Sequence, residues 1–399
     1  MFVVYLILLI VILYFIKKRD MNYHNSFSPS IILLITHLIY TLFGSLYISE
    51  ITDNNFFYYT FWFIQISSLF GILIAVLFNK FRRKTNFIKT IPSRFTIILF
   101  IIISLSHLIV YVNKYGGVNE IFNSGYKLVY ESGETNYMQY SVLGMLAAFS
   151  IKYNFSRLIS FVCFIFFAVA MLLGTRGIAL GFICIPFMAY YLNENRFSYN
   201  KFLLAMPLVI FFLLIAYVRN IGFSNILSLL YLDYDFFFSL FVKNSEFNTT
   251  GSVIFTGLSN PNWYNHNILE YISGIISSIV PKGLWPERPD AISNLFSDKF
   301  APTGEGIGFS VAYEAFLLLG WFGPLIYFYF IQRFLQKLYG SKKSILNAII
   351  VLSPLLIFWI NRIDFQTIFK ITLVYLFFYI IWSFVIRFSN SFLSNKNSI

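Results

Sequence analysis

Apolar residues along this chain arrive in long runs separated by short polar breaks, and the runs predict helices before anything else is considered. They extend from Phe2 to Ile16, Ile31 to Ile48, Phe56 to Phe78, Phe95 to Val112, Tyr137 to Ile151 and Leu158 to Leu173. The series continues with Ile178 to Leu192, Phe202 to Val218, Val311 to Ile331, Ile345 to Ile360 and Ile368 to Ile386. A helix crossing roughly 30 Å of hydrocarbon needs about 20 apolar residues, so runs of this size read as spans with soft boundaries. Backbone amides in lipid must be satisfied within the segment, which leaves helices as the form such runs take. The pattern therefore predicts an all-α polytopic membrane protein of about eleven transmembrane helices, with residues 1–399 forming one membrane domain.

One gap departs from the pattern. Between Arg219 and Gly308 the chain is long and mixed, which predicts a loop over 219–308. Ile226 to Val242 and Ile268 to Val280 within it are apolar enough to lie along the membrane surface or to enter it as re-entrant helices.

Charge orients the series. Of the 29 Lys and Arg residues, 19 fall on one set of connections, whereas 15 of the 17 Asp and Glu fall on the other. Basic loops resist translocation, so the basic set is expected in the cytoplasm and the acidic set, with the long loop, outside it. The N-terminus is then expected outside and the C-terminus inside. The first run is followed, not preceded, by Lys17, Lys18 and Arg19, and no small-residue cleavage site follows it, so it reads as a span and not as a signal peptide.

Composition narrows the class without naming a function. Hydrophobic residues make up 58% of the chain and charged ones 12%, which leaves too little polar surface for a soluble domain of this length. The net charge of +12 does not imply nucleic acid, because the basic residues flank apolar spans, where topology and anionic headgroups account for them. Cys163 and Cys184 lie in apolar runs and read as small buried hydrophobes. No metal-ligand cluster or nucleotide loop is present, and no cofactor is implied. His37 and His107 sit in spans, where a lone histidine more often links helices than catalyses.

Two constellations carry candidate chemistry. The first is a set of cations expected at the outer membrane face: Arg176 in Gly174-Thr175-Arg176-Gly177, Arg219 at the end of a span, Lys282 and Arg288 in Pro281 to Pro289, and Arg362 at the end of another span. A guanidinium is always charged and its forked donors match a phosphate bidentately. The rival reading is that interfacial arginines only anchor spans by snorkelling into headgroups. The second constellation is the glycine-rich run Gly304 to Gly308, leading through Ser310 to Glu314 and to Gly320-Trp321-Phe322-Gly323. An ionisable residue inside a span is costly unless paired or functional, so Glu314 is expected to face the bundle interior with the outer arginines as partners.

On these motifs the chain resembles the Wzy-type oligosaccharide repeat-unit polymerases of bacterial O-antigen and capsule assembly. The resemblance rests on the Gly-Thr-Arg-Gly turn, on Pro281-Lys282-Gly283-Leu284-Trp285-Pro286-Glu287-Arg288-Pro289, and on the glycine-rich entry to Glu314. The plan of many spans with one long late outer loop extends it over most of the chain. It implies a metal-independent glycosyltransferase at the bacterial cytoplasmic (inner) membrane, acting on undecaprenyl-pyrophosphate-linked oligosaccharides outside the cytoplasm. Arg176, Arg219, Arg288, Arg362 and Lys282 would bind the pyrophosphate. Glu314, Asp290 and His266 are the candidate bases, and Trp263, Tyr264 and Trp285 would stack on sugar rings, though interfacial aromatic belts use the same residues. Membrane lipids and a chain-length regulator are the implied partners, and nucleic acid is not. An O-antigen ligase uses the same donor and remains open as an alternative. A non-catalytic flippase for lipid-linked oligosaccharide is the other.

Overall fold

The structure, a computed structural model, describes residues 1–19, 28–78, 90–114, 116–117, 137–153, 157–172, 176–194, 246–264, 268–280, 284–301, 308–339 and 344–394. Among the described residues every extended element is helical, and β structure is limited to an isolated bridge between Thr90 and Tyr153. The helices are α1 (Phe2–Arg19), α2 (Pro29–Ile51), α3 (Asn55–Phe78), α4 (Arg94–Lys114), α5 (Tyr137–Lys152), α6 (Arg157–Leu172) and α7 (Arg176–Glu194). After them come α8 (Thr249–Ser259), α9 (Ile268–Ser277), α10 (Ile292–Phe300), α11 (Val311–Leu319), α12 (Gly323–Tyr339), α13 (Ser344–Ile360) and α14 (Phe365–Ser394). Among the described residues, five stretches are long and apolar enough to cross a membrane: Pro29–Ile51, Asn55–Phe78, Arg94–Lys114, Val311–Tyr339 and Phe365–Ser389. Several such helices in one chain are the mark of a multi-pass membrane protein. The expected span Phe202 to Val218 and the loop helix Ile226 to Val242 lie outside the described residues.

The chain divides into two compact units. The first holds Met1–Arg83, Asn220–Gly340 and Leu356–Lys370; the second holds Lys84–Arg219, Ser341–Leu355 and Ile371–Ile399. Helices α13 and α14 therefore contribute residues to both.

In the first unit, α3 is the central element. It packs along α12, where Gly71 brings the backbones so close that a Cβ would run into the carbonyl of Leu325. Apolar side chains gain little from leaving lipid for a helix interface, so close contact through small residues is what drives such packing. On another side, α1 lays Tyr5 against Trp62 of α3, ring centroids 5.6 Å apart. The Tyr5 hydroxyl donates to Thr41 of α2 at 3.2 Å, and Thr41 donates on to Gln65 of α3 at 3.2 Å. Three helices are thus joined by one buried hydrogen-bond chain.

The predicted span Val311 to Ile331 is broken. Gly320 takes a φ of +62°, a backbone conformation that side-chain-bearing residues rarely adopt, and the chain passes through a short 3-10 turn before α12 starts. Gly323 then packs directly on the Ala315 carbonyl, so α11 and α12 are separate helices that touch. At 1.5 Å per residue the nine residues of α11 rise about 14 Å, so it is only together with α12 that the stretch Val311–Tyr339 has the length of a crossing.

A second short helix sits beside it. Segment 249–259 has no run of apolar residues long enough to stand out, yet Thr249, Thr250, Gly251, Val253, Ile254 and Gly257 of α8 are buried. Gly251 meets Gly44 of α2 backbone to backbone, and Gly257 receives the ring of Tyr313 from α11. Part of the expected long loop is therefore packed among the apolar helices of the first unit.

The second unit follows the same packing chemistry. Gly144 of α5 lies against the backbone at Phe378 and Tyr379 of α14. Ser141 of α5 meets the His107 ring of α4 at 3.1 Å and accepts from the Trp382 indole at 3.3 Å. His107 thus joins two helices, the ordinary role for a histidine in a span.

Candidate functional site

Glu314 lies in the first turn of α11 and is fully buried. A buried carboxyl group left unmatched costs about 1–3 kcal/mol or more, so the question is what meets it. Its Oε1 accepts from the hydroxyl of Tyr271 on α9, and its Oε2 accepts from the backbone N–H of Phe365, the first residue of α14, at 2.8 Å. Both oxygens have a donor, and neither donor is an arginine. The expectation that the outer arginines pair with Glu314 is corrected here: neutral donors on two other elements meet it.

A second carboxylate sits next to the first. Asp364 is fully buried and caps α14, accepting from the Thr367 N–H at 2.7 Å through Oδ1. Its Oδ2 accepts from both the N–H and the hydroxyl of Ser293 in α10, each at 2.9 Å. An acidic side chain at a helix N-cap satisfies orphan amides and complements the positive end of the helix. Gln366 completes the set, donating to the Gly274 carbonyl of α9 at 2.9 Å. The turn 361–364 is thereby tied to α9, α10 and α11 at once.

The same turn carries Arg362. Its carbonyl accepts from the N–H of Phe309, just before α11, and its guanidinium lies over the Phe358 ring, 5.9 Å from the centroid. Arg288 belongs to the stretch after α9. It donates through Nη1 to the carbonyls of Ser278 at 3.0 Å and Val280 at 2.6 Å, capping the end of α9, where a cation suits the negative end of a helix. Its Nε is buried and meets no acceptor. Asp290 follows, half-buried, three residues before the Ser293 that binds Asp364.

The aromatic candidates divide. Trp263 is half-buried in a cluster with Phe296, Phe300 and Phe309, and its indole N–H donates to the Tyr313 hydroxyl at 3.5 Å. That is the setting of a packing residue with one polar anchor. Trp285, 44% exposed, is free to meet a ligand. Tyr264 is half-buried, and burial, followed by the nearby carboxylates of Glu314 and Glu270, pushes its phenol up to about 12.

Glu314, Asp290, Arg288, Arg362, Trp263, Tyr264 and Trp285 all belong to the first unit. Arg176 begins α7 in the second unit, and its side chain lies outside the described residues, as do Arg219, His266 and Lys282 altogether. Sequence reasoning passed over Tyr271, Ser293, Asp364 and Gln366. For Asp364 a signal existed, an acidic residue directly ahead of an apolar helix; for the others none did. Among the described residues no group of three His, Cys, Asp or Glu side chains is placed to hold a metal ion. Comparison with protein-family models, with curated proteins and with solved structures found no match to this chain.

Proposed function

We propose that the chain polymerises lipid-linked oligosaccharide repeat units at the outer face of the bacterial cytoplasmic membrane. One observation carries the reading. Residues far apart in sequence, chosen for their chemistry, fall on elements that hydrogen bonds connect: Arg288 caps α9, Tyr271 of α9 binds Glu314, and Glu314 binds the amide beside the Arg362 turn. Anchoring arginines alone would have no reason to share such a framework.

In this reading the growing chain leaves an undecaprenyl pyrophosphate and joins a hydroxyl of the incoming lipid-linked unit. Positioned cations, Arg288 and Arg362 here with Arg176, Arg219 and Lys282 as further candidates, stabilise charge developing on the departing pyrophosphate. Glu314 has both oxygens engaged and no exposed surface, so it serves as a positioning residue. Asp290, half-buried between Arg288 and α10, is the carboxylate assigned to the acceptor hydroxyl.

The test is the surface-polysaccharide ladder of a strain lacking the gene. Collapse to core plus a single repeat unit supports polymerisation. Bare core with accumulating lipid-linked polymer replaces it with the ligase, and an unchanged ladder rejects both.

A further inference from the structure

Some helix starts in the first unit are furnished with side-chain acceptors, whereas the cap residues of others, Asn248 of α8 and Ala291 of α10, make no such bond. Ser28 caps α2 with its side chain, and Asp364 with Glu314 caps α14. Helix α11 is not furnished this way. Phe309 N–H is taken by the Arg362 carbonyl and Glu314 N–H by the Ser310 carbonyl. Between them, the amides of Val311, Ala312 and Tyr313 meet no acceptor among the described residues, although these residues are 0 to 2% exposed. The N-cap Ser310 makes no capping bond, and its hydroxyl is itself fully buried without a partner.

A second buried hydroxyl lies close by. Gly308, at the approach to α11, is pressed so close to Thr249 of α8 that a Cβ there would run into its methyl group, and the Arg362 carbonyl lies tightly beside it. Thr250, the next residue of α8, is 1% exposed, and its hydroxyl has no partner among the described residues. Among the described residues, three amides and the Ser310 hydroxyl at the positive end of α11 are therefore without acceptors, and the Thr250 hydroxyl, next in chain to the Thr249 that Gly308 touches, is a further buried group without a partner. Buried helix ends without acceptors are rare, because each orphan N–H carries its full desolvation cost.

We infer that the N-terminus of α11, with Ser310 and Thr250, is a binding site for a phosphoryl oxyanion. Helix N-termini bind phosphate through such amides and the helix dipole, and a half-helix ending inside a membrane protein presents them to an anionic ligand group. The Arg362 carbonyl meets the approach to α11 at Phe309, and the Arg362 guanidinium lies over the Phe358 ring. Glu314 and Asp364 are the acidic groups nearby, and their oxygens are taken by Tyr271, Phe365, Ser293 and Thr367. That the phosphoryl group is carried on a prenyl tail rests on the polymerase reading; that the site takes an oxyanion does not.

The experiment is thermal melting of the full-length protein in detergent with inorganic phosphate, inorganic pyrophosphate or geranylgeranyl pyrophosphate. Wild-type protein is expected to melt higher in saturating inorganic pyrophosphate, since a ligand that binds only the folded chain stabilises it. Ser310→Asp places a carboxylate on the open amides, so it raises the melting temperature without ligand and abolishes the pyrophosphate shift. Thr250→Val and Ser310→Ala each reduce that shift, and they decide the matter if Ser310→Asp does not fold. A larger shift with the prenyl compound than with inorganic pyrophosphate identifies a lipid headgroup, and equal shifts identify a free anion. No shift with any of the three, or a shift that Ser310→Asp, Ser310→Ala and Thr250→Val leave intact, overturns the site. An oxyanion shift together with an unchanged polysaccharide ladder on gene deletion would reject polymerisation and keep the site.

Discussion

The Tyr271 hydroxyl donates to the Glu314 carboxylate across 43 residues of chain, fastening α9 to the first turn of α11. Helix α9 presents Ile268, Leu269, Ile272 and Ile276 outward and Tyr271, Gly274 and Ser277 inward. Its buried edge is polar or small, so hydrogen bonds rather than apolar packing set its position. Removing the tyrosine hydroxyl leaves the buried Oε1 of Glu314 without its donor, and removing the carboxylate leaves the Tyr271 hydroxyl with Tyr327 alone. Tyr271→Phe and Glu314→Gln are each expected to destabilise the protein by about 1–3 kcal/mol. In a double-mutant cycle the two are expected to couple by about 0.5–3 kcal/mol. Simple additivity of the melting shifts would show that the contact carries no weight.

Close backbone contact between α2 and α8 depends on having no Cβ on either side. Gly251→Ala drives a methyl group into the backbone of Gly44, and overpacking of this kind costs about 1–3 kcal/mol. Ser273→Ala, at an exposed position on α9, is the control and should stay within about 0.5 kcal/mol of wild type. Equal melting temperatures for the two variants would place α8 elsewhere.

Arg288 has two tasks that substitution can separate. Arg288→Ala leaves the carbonyls of Ser278 and Val280 unmatched and should lower stability by about 1–3 kcal/mol. Arg288→Lys retains a cation that can reach one carbonyl and should restore much of that loss, but it lacks the fork that grips a phosphate. Under the polymerase reading, cells carrying Arg288→Lys make normal amounts of protein and a shortened polysaccharide ladder. A full ladder from Arg288→Lys would leave the capping role alone.

Tyr264 offers a pH signature. Its phenol is pushed up to about 12 in the folded protein from a usual value of 10.0. The unfolded chain therefore releases this proton first, so the contribution is complete below pH 10 and is lost as pH rises toward about 12. The stability difference between wild type and Tyr264→Phe, from chemical-denaturation curves, should be constant below pH 10, and wild type should lose stability relative to Tyr264→Phe above it. A constant difference through pH 12 would mean that the phenol is open to water.

Helices and their approximate ends were legible in the sequence for a simple reason. Lipid leaves an apolar run no alternative to the helix, so hydropathy alone locates α2, α3 and α4 within a few residues. Charge in the breaks adds an expected orientation by the same local logic. Glu314 was also visible, because a carboxylate inside an apolar run is expensive wherever it ends up. Its partners were not. Tyr271, Phe365 and Ser293 carry no mark that separates them from other tyrosines, amides and serines, and only the fold makes them neighbours of the two carboxylates. Helix α8 escaped notice because its threonines and glycines look like loop residues until Gly251 is placed against Gly44. The break at Gly320 was hidden inside one apolar run, since hydropathy records solvent preference and is blind to a positive φ. What the sequence settled by itself was chemistry that each residue carries alone. What tertiary structure decided was pairing: which donors meet Glu314 and which helix end keeps its amides open. Pairing depends on distance in space, which local pattern does not encode.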